Sequence, residues 1–154
     1  MKLSELLSDL KEKESYKNFK LENPEAFFCS AMFILGDADK IDLNFFLPNK
    51  NQISSFSMPF ASLTNHQEEI KDQKEIKDLN LKVDSDNLTE YIKDKAKKKF
   101  PKLIAVLHDG NWNVTCLNGL DMSRIKINAY TGKLEKKDEG SLMDMIKIRK
   151  TSEQ

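Results

Sequence analysis

Between Asp86 and Glu135 the spacing of apolar positions changes from that of a helix to that of strands. Leu88, Ile92 and Ala96 recur four apart with Tyr91 beside them, which lays one apolar stripe along a helix. Asp86 or Asn87 can cap its first turn, and Asn87 with Glu90 has the spacing of a capping box. Lys93, Lys95, Lys97, Lys98 and Lys99 crowd its end, where the helix dipole favours cations. Pro101 biases Phe100 away from helical geometry, so the helix stops there. A short apolar run from Leu103 to Leu107 follows, and Asp109-Gly110-Asn111 reads as the hairpin turn after it. Trp112, Val114 and Cys116 then alternate with polar residues, and Asn118-Gly119 is a second turn. Ile125, Ile127 and Ala129 alternate with Arg124, Lys126, Asn128 and Tyr130, as in an antiparallel strand with one wet face. Thr131-Gly132 closes that run, glycine supplying the positive φ of a tight turn.

The first part of the chain has a similar order. Leu3, Leu6, Leu7 and Leu10 predict an amphipathic helix, and its mixed-sign polar face favours packing on a sheet over a membrane surface. Residues 15–19 predict a second helical segment ending before Asn23-Pro24. Residues 25–35 read as a strand with Phe27, Cys29, Ala31, Phe33 and Leu35 on one face and Phe28, Met32 and Ile34 on the other. A strand apolar on both faces is central and covered twice, or covered once and buried in an oligomer, so a homodimer is one arrangement. Residues 36–39 form a turn; Asp37, Asp39 and Asp42 lack the further ligands of a calcium loop. Residues 40–47 and 52–58 are the next strands, joined by a turn at Pro48. Residues 61–85 are charge-rich and read as a solvated linker, with Leu79, Leu81 and Val83 able to add an edge strand. After a polar run, Ser141 can cap a short helix bearing Leu142, Met145 and Ile146.

Helix, proline, strand, turn, strand, turn, strand thus occurs twice. The expectation is an α+β chain of two αβββ repeats, each a helix packed on an antiparallel three- to four-stranded sheet. The divisions are 1–60, a linker at 61–85, the second repeat at 86–136, and a tail at 137–154. A unit of this size has a marginal core, and a second unit enlarges it.

The order of residues 86–136, ending in Asn128-Ala129-Tyr130-Thr131-Gly132-Lys133-Leu134, resembles a PepSY-type domain. In that family an aspartate is usual where Asn128 stands. The resemblance covers about the last third of the chain before the tail, and its motif is short. It implies a PepSY/cystatin-like helix on a small antiparallel sheet, and a non-catalytic, inhibitory or regulatory role near peptidases. It brings no active-site residues.

Composition narrows the chemistry. Lys+Arg and Asp+Glu are both 25, so net charge offers no general attraction to nucleic acid or an anionic membrane. No apolar run approaches the roughly 20 residues of a membrane span, and residues 1–10 lack a secretory pattern. Cys29 and Cys116 read as buried reduced thiols of a cytoplasmic protein, with a disulfide between them as the lesser alternative. His66 stands alone in the linker, while His108 and Cys116 sit on neighbouring runs without an orienting third group or oxyanion site. No zinc spacing or glycine-rich phosphate loop is present. The lysines from Lys93 to Lys102 read as a solvated helix end, not a nucleic-acid platform. The sequence therefore nominates no catalytic, cofactor-binding or metal-binding residue. Its leading functional expectation is a non-enzymatic module that meets a protein partner with a sheet edge or face. The alternative is a small-molecule pocket between helix and curved sheet, lined by Phe27, Phe33, Phe45, Phe46, Phe56 and Trp112.

Overall fold

The computed structural model describes residues 1–36, 39–66 and 72–141. Helices α1 (Leu3–Lys11) and α2 (Glu14–Glu22) precede strands β1 (Phe27–Leu35), β2 (Lys40–Leu47), β3 (Gln52–Met58) and β4 (Ser62–Asn65). Helix α3 (Leu88–Ala96) precedes β5 (Lys102–His108), β6 (Asn111–Asn118), β7 (Asp121–Asn128) and β8 (Leu134–Ser141). All eight strands form one antiparallel sheet in the order β4-β3-β2-β1-β5-β6-β7-β8.

This overturns the expectation of two αβββ repeats, each a helix on its own sheet. β1 pairs with β5 from Ser30↔His108 to Leu35↔Leu103, so both runs of strands share one sheet. The reason lies in the two strands themselves. Met32 and Ile34 of β1, like Ile104 and Val106 of β5, make both strands apolar on the face away from the helices. As free edges they would expose apolar side chains beside unpaired backbone groups. Pairing them puts both at the centre of the sheet.

Register assigns the faces. Ala31, Phe33, Leu43, Phe45, Phe56, Leu103, Ala105, Leu107, Trp112, Val114, Cys116, Ile125 and Ile127 point into one core with Leu3, Leu6, Leu7, Leu10, Tyr16 and Phe19 of α1 and α2. Leu88, Ile92 and Ala96 of α3 join the same core, as their spacing predicts. A register shift between Phe28 and Ser30 alters the expected facing of β1. Phe28 turns to the core and meets Phe45, while Phe27 packs edge-on against Phe46 with ring centroids 5.5 Å apart.

The expected linker is structured at both ends. Ser62–Asn65 is β4. Residues 72–87 form neither helix nor strand, yet Ile76, Leu79 and Leu81 lean on the core. Ile76 donates its amide to the Phe28 carbonyl and Val83 donates to Ala129, both at 2.9 Å, and residues 79–83 add no strand. Asp84, buried, accepts the amides of Leu3 at 2.8 Å and Ser85 at 2.7 Å. Its carboxylate thus sits at the positive end of α1 and ties that helix to the crossing segment. Asn87 makes no side-chain cap to α3; its side chain instead bonds Lys82 and Asp84 in the loop. The polar run after Leu134 is β8, and the short helix expected beyond Ser141 lies outside the described residues.

Trp112 is fully buried against Phe33, and its indole N–H donates to the Val83 carbonyl at 2.7 Å. Trp112→Ala is expected to cost about 3–5 kcal/mol. Trp112→Phe keeps a ring but orphans the Val83 carbonyl, a loss of about 1–3 kcal/mol beyond the change in volume. Urea unfolding should rank wild type above Trp112→Phe and that above Trp112→Ala. Equal midpoints for wild type and Trp112→Phe would remove the hydrogen bond from this account.

Candidate functional site

The groups with chemical potential are spread over the sheet. His108 ends β5 opposite Asn111, whereas Cys116 pairs with Leu103 at the other end of the same hairpin and faces the core. His108 is exposed and its Nε2 lies 2.9 Å from Gln73. No His–Cys pair forms. Cys29 and Cys116 are free and fully buried, so the disulfide alternative is not realised. Burial pushes each thiol up to about 11. Among the described residues no group of His, Cys, Asp and Glu is placed to hold a metal ion.

On the face away from the helices a row of hydrogen bonds crosses three strands and ends on His66, the residue after β4. Asn44 Nδ2 donates to Ser30 Oγ at 2.9 Å, and Ser55 Oγ donates to Asn44 Oδ1 at 2.6 Å. His66 Nε2 stands 2.8 Å from Ser55 Oγ. Beside the row, Ser57 donates to Asp42 at 2.6 Å and Lys40 lies 3.6 Å from the same carboxylate. His66 thus has a partner that its place in a polar stretch of the sequence does not announce. The missed signal was period two: Asp42 and Asn44, then Ser55 and Ser57, fall on one face of neighbouring strands.

A serine beside a histidine raises the question of nucleophilic chemistry. Ser55 donates its hydroxyl to Asn44 here, so the hydroxyl is not turned toward the imidazole as an activated nucleophile would be. Nor do backbone amides converge there. The pairing of β3 with both β2 and β4 uses successive β3 amides for the ladder, leaving none to hold an oxyanion. The row supplies partners to Ser30, Asp42 and Ser55, all of which are buried.

The rest of that face changes character across the sheet. Met32, Ile34, Ile104 and Val106 are half-buried over the centre, and Leu117 and Met122 are half-buried on β6 and β7. Toward β8, Arg124, Lys126, Lys136 and Asp138 edge a shallow depression of about 340 Å³.

The two edges differ more sharply. β8 carries Glu135, Lys136, Lys137, Asp138 and Glu139 in succession, all exposed. β4 is Ser-Leu-Thr-Asn, four exposed residues without a charge. Beside it the outer side of α2 and the ends of β2, β3 and β4 enclose a groove of about 470 Å³. Ser15, Asn18, Phe19 and Glu22 form its helix wall, and Leu63 and Asn65 its strand wall. Ser15 Oγ donates to the Ala61 carbonyl at 2.8 Å, which pins α2 to the β3–β4 turn. Phe60 on that turn is 85% exposed.

The Thr-Gly-Lys turn after β7 accounts for Asn128. Its Oδ1 accepts the amides of Tyr130 at 2.9 Å and Thr131 at 3.0 Å. The turn needs a short side chain with an acceptor oxygen, which asparagine provides as aspartate does. Gly132 has φ +77°, and a Cβ there would come within 3.3 Å of the Tyr91 ring.

Comparison with family models and with curated proteins finds no match. Among solved structures the chain is similar to a "putative lipoprotein" from Clostridium difficile 630, with a TM-score of 0.56 and 10% sequence identity. The match covers 82% of this chain and 91% of the other. At that identity the likeness is one of fold alone. No helix among the described residues is long and apolar enough to cross a membrane.

The thiol burial has a pH consequence. An unfolded thiol ionises near 9.0, whereas each folded one stays protonated up to about 11. Between those values the folded state holds more protons than the unfolded chain, so stability falls as pH rises from about 9 to about 11. Urea midpoints measured from pH 8 to 11 should fall more steeply for wild type than for a Cys29→Ala/Cys116→Ala double variant. Parallel slopes would contradict the assigned shifts. At pH 8 neither thiol should be alkylated by iodoacetamide until urea unfolds the chain.

Proposed function

We propose that this protein is a non-enzymatic binding or regulatory module that meets another protein with its sheet. The observation that carries the reading is the unequal treatment of the two sheet edges. Five consecutive charged residues guard β8, while β4 is uncharged and exposed. Charged side chains on an edge discourage strand pairing, and their absence leaves a row of backbone donors and acceptors open to it. Two further features support the reading. The open face has half-buried aliphatic residues at its centre, and residues 86–136 resemble PepSY domains, for which a regulatory role near peptidases is the implication. The separation of His108 from Cys116 and the engagement of the β3 amides flanking Ser55 in the ladder favour binding over catalysis. Cytoplasmic residence remains part of this proposal on the strength of two buried free thiols. The fold neighbour's description as a lipoprotein supplies the competing placement, which cell fractionation decides.

The small-molecule reading has one observation in its favour. A groove of about 540 Å³ lies between α1 and the ends of β2 and β3, where Met1, Leu6, Ile41, Met58 and Pro59 share the lining with four charged residues, Asp9, Glu12, Lys13 and Asp39. It is not the pocket expected from the aromatic residues. Phe33, Phe45, Phe56 and Trp112 are buried and packed ring against ring, filling the core with their own volume.

Affinity capture from the native host tests the protein-binding reading, with wild type, Leu63→Lys and Val106→Lys as parallel baits. The first substitution charges the β4 edge and the second charges the open face. A protein held by wild type and released by either variant is the expected result. Identical captures by all three baits, or none by wild type, would overturn the proposal.

A further inference from the structure

We propose that the β4 edge and the groove beside α2 form a docking site for an uncharged, extended segment of a partner protein, added to the sheet as a further strand. The inference rests on the protein-binding reading and assigns it a place, a backbone geometry and a side-chain chemistry.

The backbone geometry follows from the ladder. His66 donates its amide to Ile53 at 3.0 Å, which makes those two a hydrogen-bonded pair. Hydrogen-bonded pairs alternate along an antiparallel ladder, so Thr64 with Ser55 and Ser62 with Ser57 are the next ones. Leu63 and Asn65 therefore direct their amide and carbonyl groups away from β3, toward the free edge. All four residues of β4 are exposed, and no further strand pairs with them among the described residues.

The side-chain chemistry follows from the groove. Successive residues of an added strand point to opposite faces, so alternate ones enter the helix-side layer. There they meet Leu63, Asn65, Asn18, Asn23, Gln52 and Phe19. Lys50 and Glu22 contribute one charge of each sign, so the groove has no net preference for either. A charged side chain entering it would lose water without gaining a dominant counter-charge. An aliphatic residue opposite Leu63, which is 41% exposed, would bury apolar surface on both sides. The hydrogen bond from Ser15 to Ala61 holds the helix wall in place before anything binds, which lowers the ordering cost.

Length selects a peptide over a second copy. Four residues span about 13 Å at roughly 3.3 Å per residue. Two such edges meeting about a twofold axis fall far short of the roughly 1,200 Å² that stable protein interfaces bury. A segment of similar length, lying between edge and helix, uses the strand and the groove together. The charges of β8 exclude the same event at the other edge.

The test uses the full chain and a phage-displayed library of random heptapeptides, from which one enriched peptide is synthesised. Enriched sequences should be uncharged at alternate positions. On binding, amide hydrogen exchange should slow at Leu63 and Asn65 and stay unchanged along β8. Leu63→Pro removes an outward amide that β3 does not use, so it should weaken peptide binding by about tenfold or more while leaving the fold intact. Asn18→Glu, on the helix wall, should weaken it as well and serves if the proline variant does not fold. Undiminished binding by a folded Leu63→Pro, protection on β8 or over Met32 and Val106, or a library that yields no binder would each overturn the docking site. Protection over Met32 and Val106 would still leave the protein-binding reading standing, because the open face would then be the contact. Failure of the host capture with a bound, edge-protected peptide would do the reverse.

Discussion

The three helices of the described residues, nine residues each, cannot cover an eight-stranded sheet, and much of the described structure is a response to that shortfall. Eight strands averaging about seven residues make a face of about 900 Å², taking roughly 4.8 Å between strands and 3.3 Å per residue. Three helices about 13 Å long and 10 Å wide shade about 400 Å². The crossing segment of residues 72–87 supplies part of the missing cover through Ile76, Leu79, Leu81 and Val83. The outermost strands are exposed along most of their length, and β4 and β8 carry scarcely any apolar residue beyond Leu63 and Leu134.

The face away from the described helices is made compatible with water by local means. Where side chains are buried and polar, the row from Ser30 through Asn44 and Ser55 to His66 gives them partners. Where they are aliphatic, Met32, Ile34, Ile104 and Val106 lie on the two central strands and shield one another. Where the sheet nears solvent at β7 and β8, Arg124, Lys126 and Lys136 take over. The same strand can serve both layers because its side chains alternate. The register shift at Cys29 shows how sensitive this is: one extra residue moves Phe28 into the core and Phe27 out of it.

That geometry explains what the sequence made legible. All three helices and strands β1, β2, β3, β5, β6 and β7 bury one side, so their apolar period is visible in the chain. β4 and β8 bury neither side. Ser-Leu-Thr-Asn and Leu-Glu-Lys-Lys-Asp-Glu-Gly-Ser consequently have no period to read, and one passed for linker and the other for a polar run. The double-sided apolar character of β1 did announce a central strand. What periodicity does not encode is which strand lies beside it, because β1 and β5 are joined by more than sixty residues and no turn signal connects them. The candidate site suffered from both limits. Ser55 and His66 meet only through the pairing of β3 with β4, and the β4 edge is visible only once β4 is known to be a strand.

The contrast between the edges bears on function because an edge can be blunted by shortness as well as by charge. β8 spans eight residues and would template a long pairing; its lysines and carboxylates, with Lys136 beside Asp138 and Lys137 beside Glu139, keep that edge solvated. Exposed pairs of this kind add little stability, so their effect is on what can approach. β4 is half as long and has no such guard. Shortness alone prevents sheet-to-sheet growth, since two outward-facing residues cannot hold a second domain. It does not exclude a short strand that also gains from the wall of α2. The same dimension that protects this edge from aggregation therefore sets the size of the segment it can accept.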